Sequence, residues 1–324
     1  MKVGIIGAGH IGTELYKRVQ SRGWDVSFVL KRSGVYKDLS EKVGEIAEYR
    51  RYCKDADVVF LAIPTLDDGR TAFNYIASLL EMGVPVVTCE KGALSNYFPE
   101  LESRLGMIGF SATVGGGTRL LSYARERSGA QIEEVHAVVN GTLNYIFDEV
   151  SSGRSLGEVV EETRVLGYAE PGARYPIDVI NIESVLDVPK KATILFNMLN
   201  LAPSRIRAKD IAPHKISEDE LRMLVRESRN RRYIVSITKA DIGDNVIGGF
   251  RYEADGWIIS AGFKYTGESP IYSRLAPSGV NNSILFYEGS DGLDGAYMLT
   301  GQGAGAGPTT SSMIIDALRL VKKS

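Results

Sequence analysis

Two lysines and a few acids are the side chains of this sequence best suited, by type and spacing, to move a proton or hold a small charged molecule. Lys91 stands in Val-Thr-Cys-Glu-Lys-Gly-Ala-Leu, just after the strand-like run Val84–Thr88. In a parallel α/β sheet the carboxyl ends of strands are where ligands bind. Lys191 stands in Leu-Asp-Val-Pro-Lys-Lys-Ala-Thr-Ile-Leu, four residues after Asp187. On a helix that spacing puts both charges on one face, where they serve either as a surface ion pair or as a site for one small zwitterion. Pro189 suits the first turn of such a helix. Histidine offers little competition. His10 lies in a glycine loop, His136 sits in an apolar strand pattern and reads as structural, and His214 follows Pro213 in a linker. Proton chemistry is therefore expected from lysine, whose pKa responds to burial and to neighbouring cations.

A second constellation opens the chain. Gly7, Gly9 and Gly12, with Ala8, His10 and Ile11 between them, form G-x-G-x-x-G after the apolar run Val3–Ile6 and before the helical pattern Ile11, Leu15, Val19. That context gives the motif its meaning. The first glycine permits a tight turn, the second lets backbone approach a pyrophosphate, and the third lets helix and strand pack closely, with the helix N-terminus facing the anion. The next strand-like run, Val26–Leu30, leads into Lys31, Arg32 and Ser33, with no carboxylate before Asp38. Because an acid there selects NAD through its ribose hydroxyl, the basic pair favours NADP, with NAD as the alternative.

The elements that must carry these residues are legible in outline. Short apolar runs at Val3–Ile6, Val26–Leu30, Val58–Ile63, Val84–Val87 and Met107–Phe110 alternate with helical segments, the pattern of βαβ units and a parallel sheet. Later, helical stretches near 141–166 and 185–199 precede β-rich runs at Tyr233–Thr238, Ile247–Tyr252, Gly256–Ile259 and Ser283–Tyr287. These predict an α+β region with an antiparallel sheet. A last helix is expected over Thr309–Leu320, with Pro308 in its first turn and Thr309 or Thr310 as cap. The basic residues Arg226, Arg229, Arg231 and Arg232 lie near Glu218, Asp219, Glu220 and Glu227 and read as a solvated face.

Composition narrows the classes. Of 324 residues, 44% are hydrophobic and 24% charged, the proportions of a globular protein. A formal net charge of −2 gives no electrostatic footprint for nucleic acid. Cys53 and Cys89 are too few for a disulfide framework or a four-cysteine zinc site and fit a reducing cytoplasm. No run approaches the 18 or so apolar residues of a membrane span, and no signal-peptide core follows Met1. Glycine is in excess, 35 residues, clustered at 7–12, 115–117 and 301–307.

Taken in order, Gly-Ala-Gly-His-Ile-Gly, Cys-Glu-Lys-Gly-Ala-Leu, Asn-Gly-Thr-Leu-Asn-Tyr-Ile-Phe at 140–147, Gly-Tyr-Ala-Glu-Pro at 167–171, Asp187-x-x-x-Lys191 and Gly-Gln-Gly-Ala-Gly-Ala-Gly-Pro-Thr at 301–309 resemble homoserine dehydrogenase over nearly the whole chain. The resemblance implies a discontinuous Rossmann-type domain, residues 1–130 with 300–324, and a catalytic and dimerisation domain, residues 131–299. It implies NAD(P)-dependent interconversion of L-aspartate 4-semialdehyde and L-homoserine in a cytoplasmic homodimer. Lys191 matches the catalytic lysine, and Lys91 a lysine touching both cofactor and substrate. Glu170 and Asp187 match substrate-binding acids, Gly141, Thr142 and Tyr168 their neighbours, and Thr65 and Gly305 cofactor contacts. The sequence departs from the family pattern in three places. The stretch between Glu170 and Asp187 lacks the usual Pro-Asp-Pro and a further Asp, for which Asp178 or Glu183 stands in. Ser111 replaces the glutamate of a sodium site whose carbonyls would come from Val114, Gly116 and Thr118, so that site is expected to be weak or absent. Glu90 replaces the asparagine before the first lysine. Two other readings compete. One is a sugar or polyol oxidoreductase of the glucose–fructose/inositol kind, suggested by Glu90-Lys91; the other is a catalytically silent NADP-binding protein. Since residue 324 closely follows the last helix, a C-terminal regulatory domain is not expected.

Overall fold

The computed structural model describes residues 1–169, 173, 175–240, 246–267, 269–289 and 295–322. They fall into two compact units, Met1–Gly117 with Ala306–Ser324, and Thr118–Gly305.

The first unit is built on a seven-stranded sheet of β1 (Lys2–Ile6), β2 (Asp25–Lys31), β3 (Gly34–Tyr36), β4 (Lys42–Gly44), β5 (Val58–Leu61), β6 (Val86–Thr88) and β7 (Ile108–Gly109). The order is β4-β3-β2-β1-β5-β6-β7, parallel from β2 through β7 and antiparallel at the β3 and β4 edge. After β1 the chain passes through the helix His10–Ser21 to β2 on one side, and β5 then pairs on the other. The order therefore reverses at β1, which makes its carboxyl end the topological switch point where ligands bind in open α/β sheets. Val3, Ile5, Val29, Val58, Phe60 and Val87 from the strands join Leu15 and Val19 from the first helix and Met313, Ile314 and Ala317 from the last in one core. Strands covered on both faces explain why these runs are apolar at nearly every position.

Among its described residues the second unit holds six strands, β8 (Ile132–Val138), β9 (Arg231–Thr238), β10 (Ile247–Ala254), β11 (Trp257–Tyr265), β12 (Asn281–Glu288) and β13 (Gly295–Gln302). Every pairing is antiparallel, in the order β10-β11-β9-β8-β12-β13. The helix Gly141–Ser151 packs on β9 and β12, and the helix Val188–Leu199 packs on β11. The short helix Pro270–Leu275 brings Tyr272 and Leu275 against Val138, Ile234 and Leu285. Among the described residues no helix is long and apolar enough to cross a membrane.

Several sequence expectations are corrected here. The stretch 141–166 is two helices, Gly141–Ser151 and Leu156–Val165, because Gly153 takes φ of 102° and Ser155 caps the second helix through the Glu158 N–H. The last helix begins at Ala306, so Thr310 is no cap; its hydroxyl donates back to the carbonyls of Ala306 and Gly307. Half of the basic run is buried. Arg231 and Arg232 are 4% and 7% exposed and pair with Glu227 and Asp148, while Arg226 and Arg229 stay on the surface.

Candidate functional site

In the first unit, a cavity of about 510 Å³ opens at the carboxyl ends of β1, β2 and β5. Its lining includes Gly7, Ala8 and Gly9, the segment Leu30, Lys31 and Arg32, and Ile46 and Tyr75. The three glycines divide the work. Gly7 has φ of 98°, and a Cβ there would stand 2.2 Å from the Ala62 carbonyl oxygen. A Cβ on Gly12 would stand 1.8 Å from the Gly7 carbonyl oxygen. A Cβ on Gly9 would meet nothing within 4 Å, so that position opens toward the cavity. His10 and Ile11 begin the helix whose N-terminus faces this space, with His10 exposed. The cradle fits a dinucleotide pyrophosphate.

At the end of β2, Lys31 and Arg32 differ in what they offer. The Lys31 ammonium donates to the Leu39 carbonyl and lies 4.3 Å from the centre of the Tyr36 ring. Arg32 is exposed and lines the cavity.

Thr65 follows β5, and its hydroxyl donates to the Glu90 carboxylate. Glu90 is 3% exposed and caps the helix Lys91–Asn96, accepting from the Gly92 N–H at 2.6 Å and the Ala93 N–H at 2.8 Å. A carboxylate with two backbone donors and a hydroxyl is firmly held. Lys91 is therefore presented from the first turn of a helix whose start is fixed. The turn Asp67–Gly69 packs closely on this helix start, since a Cβ on Gly69 would stand 2.0 Å from the Gly92 carbonyl carbon.

In the second unit, the chain runs from the helix Pro176–Asn181 through a π-helical turn, Ile182–Asp187, into the helix Val188–Leu199. Lys191 Nζ stands 2.6 Å from Asp187 Oδ2 and donates to the Val139 carbonyl at 2.8 Å. Their side chains are 14% and 6% exposed, so the i, i+4 pair is not a surface ion pair. Asn140, 3% exposed, donates to both Glu183 Oε2 at 2.7 Å and Asp187 Oδ2 at 2.8 Å, and its own carbonyl caps the helix Gly141–Ser151 through the Leu143 N–H. Gly141 is a glycine because a Cβ would lie 2.5 Å from the Val280 carbonyl oxygen. Thr142 donates to the Tyr168 carbonyl at 2.7 Å, and the Tyr168 ring stands edge-on to Tyr145. Asp178 accepts from the Tyr175 N–H and caps its own helix. Glu170 lies outside the described residues. Gly305 ends the unit with φ of 109°.

Of the oxygens expected around a sodium ion, the Gly116 carbonyl is engaged, and where the family has a glutamate the Ser111 hydroxyl is bound to Asp316. Ser111 donates through N and Oγ to Asp316, the Gly116 carbonyl accepts from Ser312 Oγ, and the Thr118 hydroxyl donates to the Gly301 and Gln302 carbonyls. Val114 is fully buried. This donor set does not fit a hard cation, which seeks carboxylate and several open oxygens. Among the described residues no group of three or more His, Cys, Asp or Glu is arranged to hold a metal.

Sequence comparison decides the family. Residues 120–318 match the profile of the homoserine dehydrogenase family. The chain belongs to the homoserine dehydrogenase family. Residues 1–92 match the NAD-binding domain of D-isomer specific 2-hydroxyacid dehydrogenases, the other half of an oxidoreductase that binds a nicotinamide dinucleotide. The homoserine dehydrogenase of Saccharomyces cerevisiae is 25% identical over 285 residues, 80% of this chain and 76% of that protein. An NAD(+)-dependent homoserine dehydrogenase of Pseudomonas canavaninivorans is 26% identical over 78% of this chain and 67% of its own length. A hyperthermophilic archaeal homoserine dehydrogenase in complex with NADPH superposes with a TM-score of 0.70 at 21% identity, covering 100% of this chain and 98% of its own, a likeness of fold. The matched stretch takes up between 52% and 76% of four curated homoserine dehydrogenases. The family-matched region contains Lys191, Asp187, Glu183 and Asn140, whereas the glycine cradle and Lys91 lie in the region that matches as NAD-binding. Sequence reasoning singled out both lysines and the glycines; the structure places Lys191 in a buried ion pair and Gly7 and Gly9 on the wall of the cavity. It did not find Asn140 as the amide joining two acids, for which the only signal was its place before Gly141 in the Asn-Gly-Thr motif.

Proposed function

We propose that this chain catalyses the reversible NAD(P)-dependent interconversion of L-aspartate 4-semialdehyde and L-homoserine. The buried Lys191–Asp187 pair, with Lys191 also bound to the Val139 carbonyl, carries this reading. A nicotinamide dinucleotide, when bound, supplies the hydride to the aldehyde carbon or takes it from the alcohol. Negative charge on the aldehyde oxygen calls for a fixed cationic donor in a site of low polarity. An ammonium has three protons; two of those on Lys191 face Asp187 and Val139, which orients the third toward a substrate oxygen. Lys91 matches by its motif the family lysine that touches cofactor and substrate. Asp187, with Glu170 by its match to the family motif, holds the substrate ammonium and so orients the reacting end. Gly141, Thr142 and Tyr168 form the loop beside it.

Gly7 to Gly12, Thr65, Lys91 and Gly305 are assigned to the cofactor. NADPH is preferred through Arg32, exposed on the cavity wall where a ribose 2′-phosphate would lie. The active form is a homodimer, to be measured by light scattering as twice the 35.4 kDa of the chain.

The decisive experiment is NADPH oxidation with aspartate 4-semialdehyde beside a panel of sugars and keto-polyols, for wild type, Lys191→Ala and Lys191→Arg. Turnover with the semialdehyde alone is expected. Lys191→Ala should lower it by about 10²- to 10⁴-fold, the range for a lost proton donor, with NADPH binding by fluorescence unchanged. An active Lys191→Ala enzyme, or turnover of a sugar in place of the semialdehyde, refutes the reading.

A further inference from the structure

We infer that Glu90 is the counter-charge of the oxidised nicotinamide, a residue that weights the nucleotide site toward NADP⁺ over NADPH. The inference rests on the nucleotide binding in the reading above and deepens it. Four residues stand in register across the carboxyl edge of the first sheet: Leu30, Ile6, Leu61 and Thr88. Neighbouring strands lie about 4.8 Å apart, so this row spans about 14 Å. Arg32 follows the first of the four, the glycine turn the second, Thr65 the third and Glu90 the fourth. The pyrophosphate is the middle of a dinucleotide. Held at the glycine turn with its adenosine ribose toward Arg32, it leaves the nicotinamide on the side of Thr65 and Glu90.

What stands there is a pinned carboxylate. Glu90 is 3% exposed; its Oε1 accepts from the Thr65 hydroxyl and from the Gly92 N–H at 2.6 Å, and its Oε2 from the Ala93 N–H at 2.8 Å. Its backbone is fixed as well, because the Thr88 hydroxyl accepts from the Glu90 N–H at 2.9 Å and donates to the Leu61 carbonyl at 3.0 Å. The three partners of the carboxylate are all donors, which suits the ionised form. Capping alone does not call for glutamate, since asparagine, aspartate and serine are the preferred caps. What glutamate adds, where the family pattern has asparagine, is a negative charge. The nicotinamide ring is cationic when oxidised and neutral when reduced, so a fixed negative charge beside it binds the two forms unequally. Opposite unit charges about 10 Å apart, at an effective dielectric of about 20, shift such a ratio about tenfold. The ring gains its positive charge as hydride leaves, so the same carboxylate favours that step. Lys91, next in the chain and of opposite sign, is common to every variant compared below.

The test titrates wild type, Glu90→Gln, Glu90→Asn and Glu90→Asp with NADPH and with NADP⁺ in separate calorimetric runs and reads the ratio of the two dissociation constants. In Glu90→Gln the weighting toward NADP⁺ should fall about tenfold, through weaker binding of NADP⁺. Glu90→Asn, whose short amide is among the best helix caps, should show the same fall. Glu90→Asp keeps the charge at a shorter reach and should hold the ratio within about threefold, even where both constants rise together. A cap whose loss merely loosens the site weakens both nucleotides alike, so an unchanged ratio in the two amide variants overturns the inference. An equal change of ratio in Glu90→Asp overturns it too. Wild type that binds neither nucleotide overturns it together with the nucleotide site. The expected ratios in an enzyme that turns over no aspartate 4-semialdehyde support it and overturn the proposed reaction alone.

Discussion

Lys31 and Arg32 are adjacent and equally basic, yet their surroundings give them different tasks. The Lys31 ammonium is held by the Leu39 carbonyl and the Tyr36 ring, which braces β2 against β3 and the turn beyond it. Arg32 is exposed and lines the cavity. Arg32→Ala is therefore expected to raise KM for NADPH at least tenfold and leave KM for NADH unchanged, because one charge-assisted contact to phosphate is worth about 1.5–3 kcal/mol. Lys31→Ala should change the two KM values together and modestly. Equal, NADPH-selective losses in both variants would mean that the lysine leaves its place to bind phosphate. The residue types were readable in the sequence because a dinucleotide turn demands glycine and an oxyanion demands a cation. Occupancy was not readable. Nothing in Lys-Arg-Ser tells which side chain is already committed, and nothing in the spacing of Asn140, Glu183 and Asp187 tells that one amide joins them.

At the scale of single elements, the glycine turn and the helix caps carry separable predictions. Gly12→Ala would put a methyl into the Gly7 carbonyl, so it should lower stability by several kcal/mol, whereas Gly9→Ala meets no protein atom. Gly9→Ala should then keep its melting temperature and lose affinity for the nucleotide, measured by calorimetric titration; equal melting losses would contradict this division. In the helix Glu218–Arg226, Ser217 and Glu220 form a reciprocal cap. The Ser217 backbone N–H first, and its hydroxyl second, hold the Glu220 carboxyl below its ordinary value. A lowered folded-state pKa contributes stability above the unfolded value of about 4.3 and loses it as pH falls through the lowered one. The melting difference between wild type and Glu220→Gln should accordingly be present at pH 7 and shrink as pH falls below about 4.3. Strands β1, β2, β5 and β6 were legible because burial on both faces makes their central positions largely apolar. The three-residue strands β3 and β4 are too short for any period to show. In β13, Gly-Ala-Tyr-Met-Leu-Thr-Gly-Gln mixes small and polar residues on a half-exposed edge, and a π turn differs from an α turn in hydrogen bonds, not in residue types.

At the scale of the whole molecule, the chain leaves the first unit at Gly117 and returns to it at Ala306, so that unit is complete only after the second has been threaded between. What fastens the return is specific. Asp316, 4% exposed, accepts from Ser111 N at 2.7 Å and Ser111 Oγ at 2.8 Å. Ser312 donates to the Gly116 carbonyl, and Arg18 donates to Ser311. The helix comes so close that a Cβ on Gly109 would stand 2.7 Å from Asp316 Cβ. Asp316→Ala strands a buried N–H and a buried hydroxyl and should cost about 2–4 kcal/mol, since each unsatisfied group costs about 1–3 kcal/mol. The two tryptophans report where that loss falls. Trp24 packs on the core of the first unit, and Trp257, 6% exposed, donates its ring N–H to the Leu201 carbonyl in the second. In denaturant titrations of Asp316→Ala with one tryptophan replaced by phenylalanine at a time, the Trp24 transition should move to lower denaturant and the Trp257 transition should hold. Saturating NADPH should restore part of the Trp24 shift, because a ligand of the native state stabilises it by mass action. Two transitions that move together by the same amount would mean that the units unfold as one body and that the return helix supports both.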